Sequence, residues 1–253
     1  VTAEIYLQYG CGLCAPEQWL NFDASPTLRF ERLPIIGKIY SRNIHRFPEN
    51  VRYGDVTRGL PLADGSCRGV YCSHVLEHLS LQDFDRSIAE TFRILAPGGI
   101  FRLVVPDLED AAREYLAAVR HGDGTANSSF MRMTSLGIER RSMNPISWLS
   151  GLIGNSRHLW MWDYASLAAK LAEHEFEQVR RASFNDCEDP AFRAVEDRGR
   201  FERACALQAR KPRCDVSKVR ADHARLDWST PSCSSASGPR HAIPNRGRGR
   251  HHA

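Results

Sequence analysis

The stretch Glu4–Asp23, EIYLQYGCGLCAPEQWLNFD, decides how the chain is read. Ile5, Leu7 and Tyr9 alternate as in a strand, Gly10 and Gly12 form a turn, and a second short strand ends on Asp23. Two glycines at a strand end let the backbone come close to a ligand, because no Cβ stands in the way. An acidic side chain at the tip of the next strand can accept hydrogen bonds from a ribose diol. Together they suggest a nucleotide-type pocket at the edge of a parallel sheet. The third glycine of G-x-G-x-x-G is replaced by Ala15. An ordinary strand–turn–strand accounts for these residues equally well, so the downstream chain decides.

Working outward, Pro26 and Pro34 limit the next segment to helical turns between Leu28 and Ile44. A short strand is expected around Val51–Tyr53, with Tyr53 in the sheet core, ending at Gly54-Asp55, and a compact apolar one over Gly69–Ser73. Leu81–Leu95 has helical spacing, with Phe84, Ile88, Phe92 and Leu95 on one side. Pro97-Gly98-Gly99 is expected to stop that helix before the strand IFRLVVP. Asp107 stands at an N-cap position before a helix reaching about Val119. Residues 121–129, HGDGTANSS, read as a polar loop, and Asp163 as the cap of YASLAAKLAEHEF. Strands close the body at Glu177–Phe184 and about Phe201–Ala209. Short apolar strands separated by crossovers argue for a parallel sheet with both faces covered.

Apolar residues make up 42% of the 253 and charged ones 25%, ordinary for a soluble globular protein. No run approaches the roughly 18 apolar residues of a membrane span. VTAEIYLQYG has no basic-then-apolar leader, so a cytoplasmic protein is expected. The net charge of +4 is concentrated in residues 212–253. Eight of the 34 Lys/Arg and three of the 30 Asp/Glu lie there, leaving residues 1–211 at −1. That body has no charge signature of a nucleic-acid binder. The tail lacks apolar periodicity and reads as disordered. Eight scattered cysteines without a secretory signal argue against a disulfide framework.

At this point the chain resembles the class I S-adenosylmethionine-dependent methyltransferases, and more narrowly the methyltransferase type 11 group. The matching pieces are YGCG (9–12) with WLNFD (19–23), GDVTRGLPLADGS (54–66), VYCSHVLEHL (70–79), RILAPGGIFRLVVPDL (93–108) and HLWMWDYASLAAKL (158–171). They occur in the family's order and span about residues 3–211. The resemblance implies a Rossmann-like α/β three-layer sandwich with a mostly parallel sheet of about seven strands. It implies S-adenosyl-L-methionine as cofactor. Tyr9, Gly10 and Gly12 would lie against its methionine and ribose, and Asp23 would bind the ribose hydroxyls. Asp55 and Val56 would meet the adenine, and Ser73 and His74 would face the sulfonium and the acceptor. One departure is plain: only eight residues separate Gly10 from Trp19, too few for an ordinary helical crossover.

The expected activity is methyl transfer to a small-molecule acceptor shaped by residues 121–162, with no nucleic acid, no membrane span and no metal required. His74 is the expected base because imidazole titrates near pH 7, with Asp107 second. A non-catalytic domain that binds cofactor or partners is the alternative. His74-Val-Leu-Glu77-His78 also spells the inverted zincin motif H-x-x-E-H. His74 ends a strand, however, so the two histidines would not share a helix face. Glu77 is expected to steady the loop through a hydrogen bond or ion pair, and His78 to pack or cap. Cys11-x-x-Cys14 matches a redox pair in spacing alone.

Overall fold

The computed structural model describes residues 4–33, 46–139 and 157–213. Its elements in order are β1 (Ile5–Tyr9), β2 (Trp19–Asp23), α1 (Pro26–Glu31), β3 (Val51–Tyr53), β4 (Cys67–Ser73), α2 (Leu81–Ile94), β5 (Leu95–Pro106), α3 (Leu108–Arg120), α4 (Ala126–Met133), α5 (Tyr164–Glu173), β6 (Glu177–Arg181), α6 (Arg198–Phe201) and β7 (Ala204–Arg210). Single turns of 3-10 helix occur at Val56–Arg58, Leu76–His78 and Pro190–Ala194. The seven strands lie in the order β3-β2-β1-β4-β5-β7-β6. The first five are parallel, and β7 runs antiparallel to both neighbours. This is the expected Rossmann-like α/β fold. The chain moves outward from β1 to β3 and returns to place β4 beside β1, so the switch point lies between β1 and β4.

Strand alternation sorts the core onto two faces. Leu7 and Tyr9, Val70 and Cys72, and Phe101, Leu103 and Val105 share one face with Phe84 and Ile88 of α2 and Leu167 and Leu171 of α5. Tyr71, Ile100 and Val104 on the other face meet Trp19, Phe192 and Val195. Fully burying one such Phe or Leu contributes about 1.5–3 kcal/mol. The β1–β2 crossover contains no helix, as its length requires. Residues from the β6–β7 connection pack against β1 and β2. Trp19 donates its indole N–H to the Ala191 carbonyl at 3.2 Å, and the Tyr6 hydroxyl donates to Asp189 at 2.8 Å.

Four expectations need correction. Residues 121–129 are not a loop throughout, because α4 starts at Ala126; Phe130 packs on Tyr115 of α3, with ring centroids 5.5 Å apart. Pro97-Gly98-Gly99 does not separate helix from strand, since β5 begins at Leu95; a register shift between Cys67 and Gly69 on β4 absorbs the irregularity. Phe201 belongs to α6 rather than to the last strand. Tyr53 is not core but 43% exposed, with Arg29 over its ring. Part of the Leu28–Ile44 expectation, residues 140–156 of the expected acceptor side and almost all of the 212–253 tail lie outside the described residues.

Candidate active site

The carboxyl ends of β1 and β2 meet in a clasp. Cys11 N–H donates to the Phe22 carbonyl at 3.2 Å, and Gly12 N–H donates to Asp23 Oδ2 at 2.9 Å. Ser25 N–H donates to Asp23 Oδ1 at 2.7 Å, which fixes the carboxylate from the other side. Gly54 N–H, just past β3, donates to the Asp23 carbonyl at 3.1 Å. A carboxylate has about four lone-pair sites, so each oxygen keeps one for a ligand. Gly10 (φ +67°) and Gly12 (φ +54°) both need the left-handed region, but their surroundings differ. A Cβ on Gly12 would have no neighbour within 4 Å, whereas one on Gly10 would lie 2.1 Å from Val75 Cγ2. Gly12 therefore faces open space, and Gly10 admits Val75.

The remaining predicted cofactor residues are placed unevenly. Tyr9 is buried, and its hydroxyl lies 3.2 Å from Thr91 Oγ1, so its side chain belongs to the core. Val56 is buried in the same core. Asp55 caps its 3-10 turn: Oδ1 accepts from Thr57 N at 3.0 Å and Thr57 Oγ1 at 2.7 Å, and Oδ2 pairs with Arg58 at 3.2 Å.

Across the switch point, Ser73 ends β4 and His74 follows with φ +55°. His74 N–H donates to the Val104 carbonyl at 2.8 Å, and its Nδ1 lies 3.0 Å from Ser73 Oγ. Burial first, then the nearby positive groups Arg200, His158 and His78, brings the His74 pKa down to about 4. The imidazole is therefore neutral at pH 7 and a weaker base than its residue type suggests. Asp107 caps α3, with Oδ1 accepting from Glu109 N at 2.8 Å. His74 and Asp107 line one cavity of about 140 Å3, together with Ala111, Met133, Met161 and Arg203. Drug-sized ligands occupy roughly 300–1,000 Å3, so this space suits a small group.

The role expected of Glu77 is also corrected. Its carboxylate is 1% exposed, and neither oxygen has a hydrogen-bond partner. His78 Nε2 lies 3.8 Å from Oε1, beyond hydrogen-bond range. Burial pushes the Glu77 carboxyl up to about 7. Its main-chain carbonyl steadies the loop instead, accepting from Leu159 N at 2.7 Å and Trp160 N at 3.1 Å. His158 approaches the same place and was not singled out in the sequence. It opens the stretch HLWMWDYASLAAKL, but nothing local in that stretch pairs it with Glu77 and His78, which lie far earlier in the chain. The Cys11 thiol is pushed up to about 12 by burial, and Cys14 is also raised, the reverse of a reactive redox pair.

This fold, with a glycine turn and an acidic clasp at its switch point, is Rossmann-like with an open ligand edge between β1 and β4. Residues 7–103 match the family model for the methyltransferase domain of type 11. Among solved structures, a SAM-dependent methyltransferase from Methanosarcina mazei is similar at 15% identity and a TM-score of 0.45, covering 84% of this chain and 95% of that one. One from Archaeoglobus fulgidus is similar at 16% identity and 0.44, covering 83% and 87%. Phosphoethanolamine N-methyltransferase 2 from Haemonchus contortus, solved with S-adenosyl-L-methionine, is similar at 12% and 0.43, covering 83% and 49%. No curated protein matches the chain. Among the described residues no helix is long and apolar enough to cross a membrane.

Proposed function

We propose that the chain moves a methyl group from S-adenosylmethionine to a small-molecule acceptor, with Gly12 and Asp23 holding the cofactor and His74 and Asp107 facing the acceptor. The observation that carries this reading is the clasp: a buried carboxylate with lone pairs to spare, beside a glycine open to the same edge. When bound, S-adenosylmethionine supplies an electrophilic methyl group on a sulfonium.

The chain's own task is to align the partners and exclude water. Asp23 accepts from ribose hydroxyls. The main chain at Tyr9-Gly10 and the Asp55-Val56 turn border the cofactor, although the Asp55 carboxylate is already engaged by Thr57 and Arg58. Ser73 orients the His74 ring, which accepts a proton as a neutral imidazole. Its lowered basicity suits an acceptor that needs little deprotonation. The domain comprises residues 1–211, with 121–162 on the acceptor side and 212–253 as a tail, and it acts in the cytoplasm. The near-neutral body favours a small acceptor over nucleic acid.

The non-catalytic alternative draws on one observation, the side chain of Val75 seated over Gly10. The two readings part in a labelled-methyl assay. The full chain is incubated with methyl-labelled S-adenosylmethionine and with separate small-molecule, protein and nucleic-acid fractions of a cell extract. Label is expected in the small-molecule fraction, reduced about 100-fold by His74→Ala, the lower end of the range for proton-transfer groups. Label only in macromolecules overturns the acceptor class, and no label in any fraction overturns catalysis.

A further inference from the structure

Glu77, His78 and His158 lie outside the proposed cofactor clasp and are not used by it. We propose that these three side chains form a binding site for a divalent transition-metal ion of the zinc type. One ligand atom from each lies within 4.8 Å of the others. Glu77 is 1% exposed, and both of its oxygens lack any hydrogen-bond partner. His158 Nδ1 is likewise buried and unpartnered. The two imidazoles meet edge to face with centroids 5.0 Å apart. An unpaired buried carboxylate costs several kcal/mol in general, unless it is neutralised or finds a cation.

The surroundings match what a metal site requires. His78 Nδ1 lies 2.8 Å from the Arg157 carbonyl, so Nδ1 carries the proton and donates. Nε2 is then left bare on the Glu77 side, 3.8 Å from Oε1. Backbone carbonyls that fix the tautomer of a ligating histidine are the usual outer shell of a zinc site. Two imidazoles and a carboxylate suit zinc and its neighbours rather than magnesium or calcium, which prefer all-oxygen sites. Bonds of about 2.0–2.2 Å in a tetrahedron put ligand atoms about 3.4 Å apart. The three groups therefore need to draw in by roughly 1.4 Å, within the reach of small side-chain rotations. Three protein ligands leave a fourth position for water. A bound ion would also pin residues 157–160 to the turn after β4, adding to the two hydrogen bonds on the Glu77 carbonyl.

The tail also carries His223, His241, His251 and His252, imidazoles that must be removed from the comparison. The test uses the full-length chain with these four changed to Ala, stripped with chelator and titrated with Zn2+ against a chromogenic competitor. One tight Zn2+ per chain is expected, weakened well over tenfold by Glu77→Gln and by His158→Asn, since even outer-shell changes cost about 10–100-fold. Co2+ should give the visible bands of four-coordinate nitrogen–oxygen ligation, lost in both variants, and Mg2+ should not compete. Circular dichroism of each metal-free variant checks that it is folded. No tight Zn2+ in the tail-substituted chain overturns the proposal, and so does tight binding that both folded variants retain.

Discussion

Arg102 and Glu77 are equally buried, each 1% exposed, yet they live in opposite circumstances. Arg102 sits mid-strand on β5 with its donors widely matched. Nε donates to Glu196 at 2.7 Å, NH1 to Asp186 at 2.9 Å and Gln208 at 2.8 Å, and NH2 to the Ser183 carbonyl at 3.1 Å. It belongs to a row in register across the sheet, Asn21–Gln8–Tyr71–Arg102–Gln208. Glu77 lies one turn beyond the carboxyl end of β4 and has no partner for either oxygen. A buried charge that its own chain satisfies belongs to the architecture. One left unsatisfied at the ligand edge of the sheet marks a place where something binds.

The contrast breaks most readily at Arg102. Replacing it with Met leaves Glu196, whose side chain is fully buried, without its cation, while Asp186 keeps Arg180. The expected loss is about 3–5 kcal/mol of stability by urea denaturation. A loss below about 1 kcal/mol would mean the row is incidental. Glu90 is a second satisfied site. It accepts from Leu60 N at 2.7 Å and from both Arg93 Nε and NH2 at 2.7 Å. Glu90→Gln should cost about 1–3 kcal/mol at pH 7. The Arg93 hydrogen bonds hold the Glu90 carboxyl below its ordinary 4.5. Its stabilising contribution is therefore complete above that value and fades as the pH falls through the folded pKa. The gap between wild type and Gln should close on acidification, and a gap independent of pH would contradict the assignment. The smallest effect belongs to Glu77→Gln in the metal-free protein, within about 1 kcal/mol, because no hydrogen bond is lost. A loss comparable to that at Arg102 would show that Glu77 has a partner after all and would erase the contrast.

Much of this was readable in advance, for identifiable reasons. The strand–glycine–strand–acid opening, the N-caps at Asp107 and Asp163, and the parallel strands are local patterns, and local physics placed them. The absent first helix followed from counting eight residues. What takes the place beside those strands did not, because the 3-10 turn around Phe192 comes from a connection more than 160 residues away and has no periodic signature. The start of α4 was hidden by a polar run whose helicity depends on Phe130 meeting Tyr115. At the site, Gly12 and Asp23 were legible as a pair. The difference between Gly10 and Gly12 was not, since it rests on where Val75 points. The basicity of His74 was misjudged because burial, which no motif encodes, sets it. Glu77 was noticed, but its lack of partners is a fact of three-dimensional packing.

The most direct test is calorimetric titration of the full chain with S-adenosylhomocysteine, repeated on Asp23→Ala. Saturable binding of one ligand per chain is predicted, weakened by about 1–3 kcal/mol in a variant that circular dichroism shows to be folded. No binding by the folded wild type at millimolar ligand, or equal affinity in the two proteins, would contradict the account of the clasp.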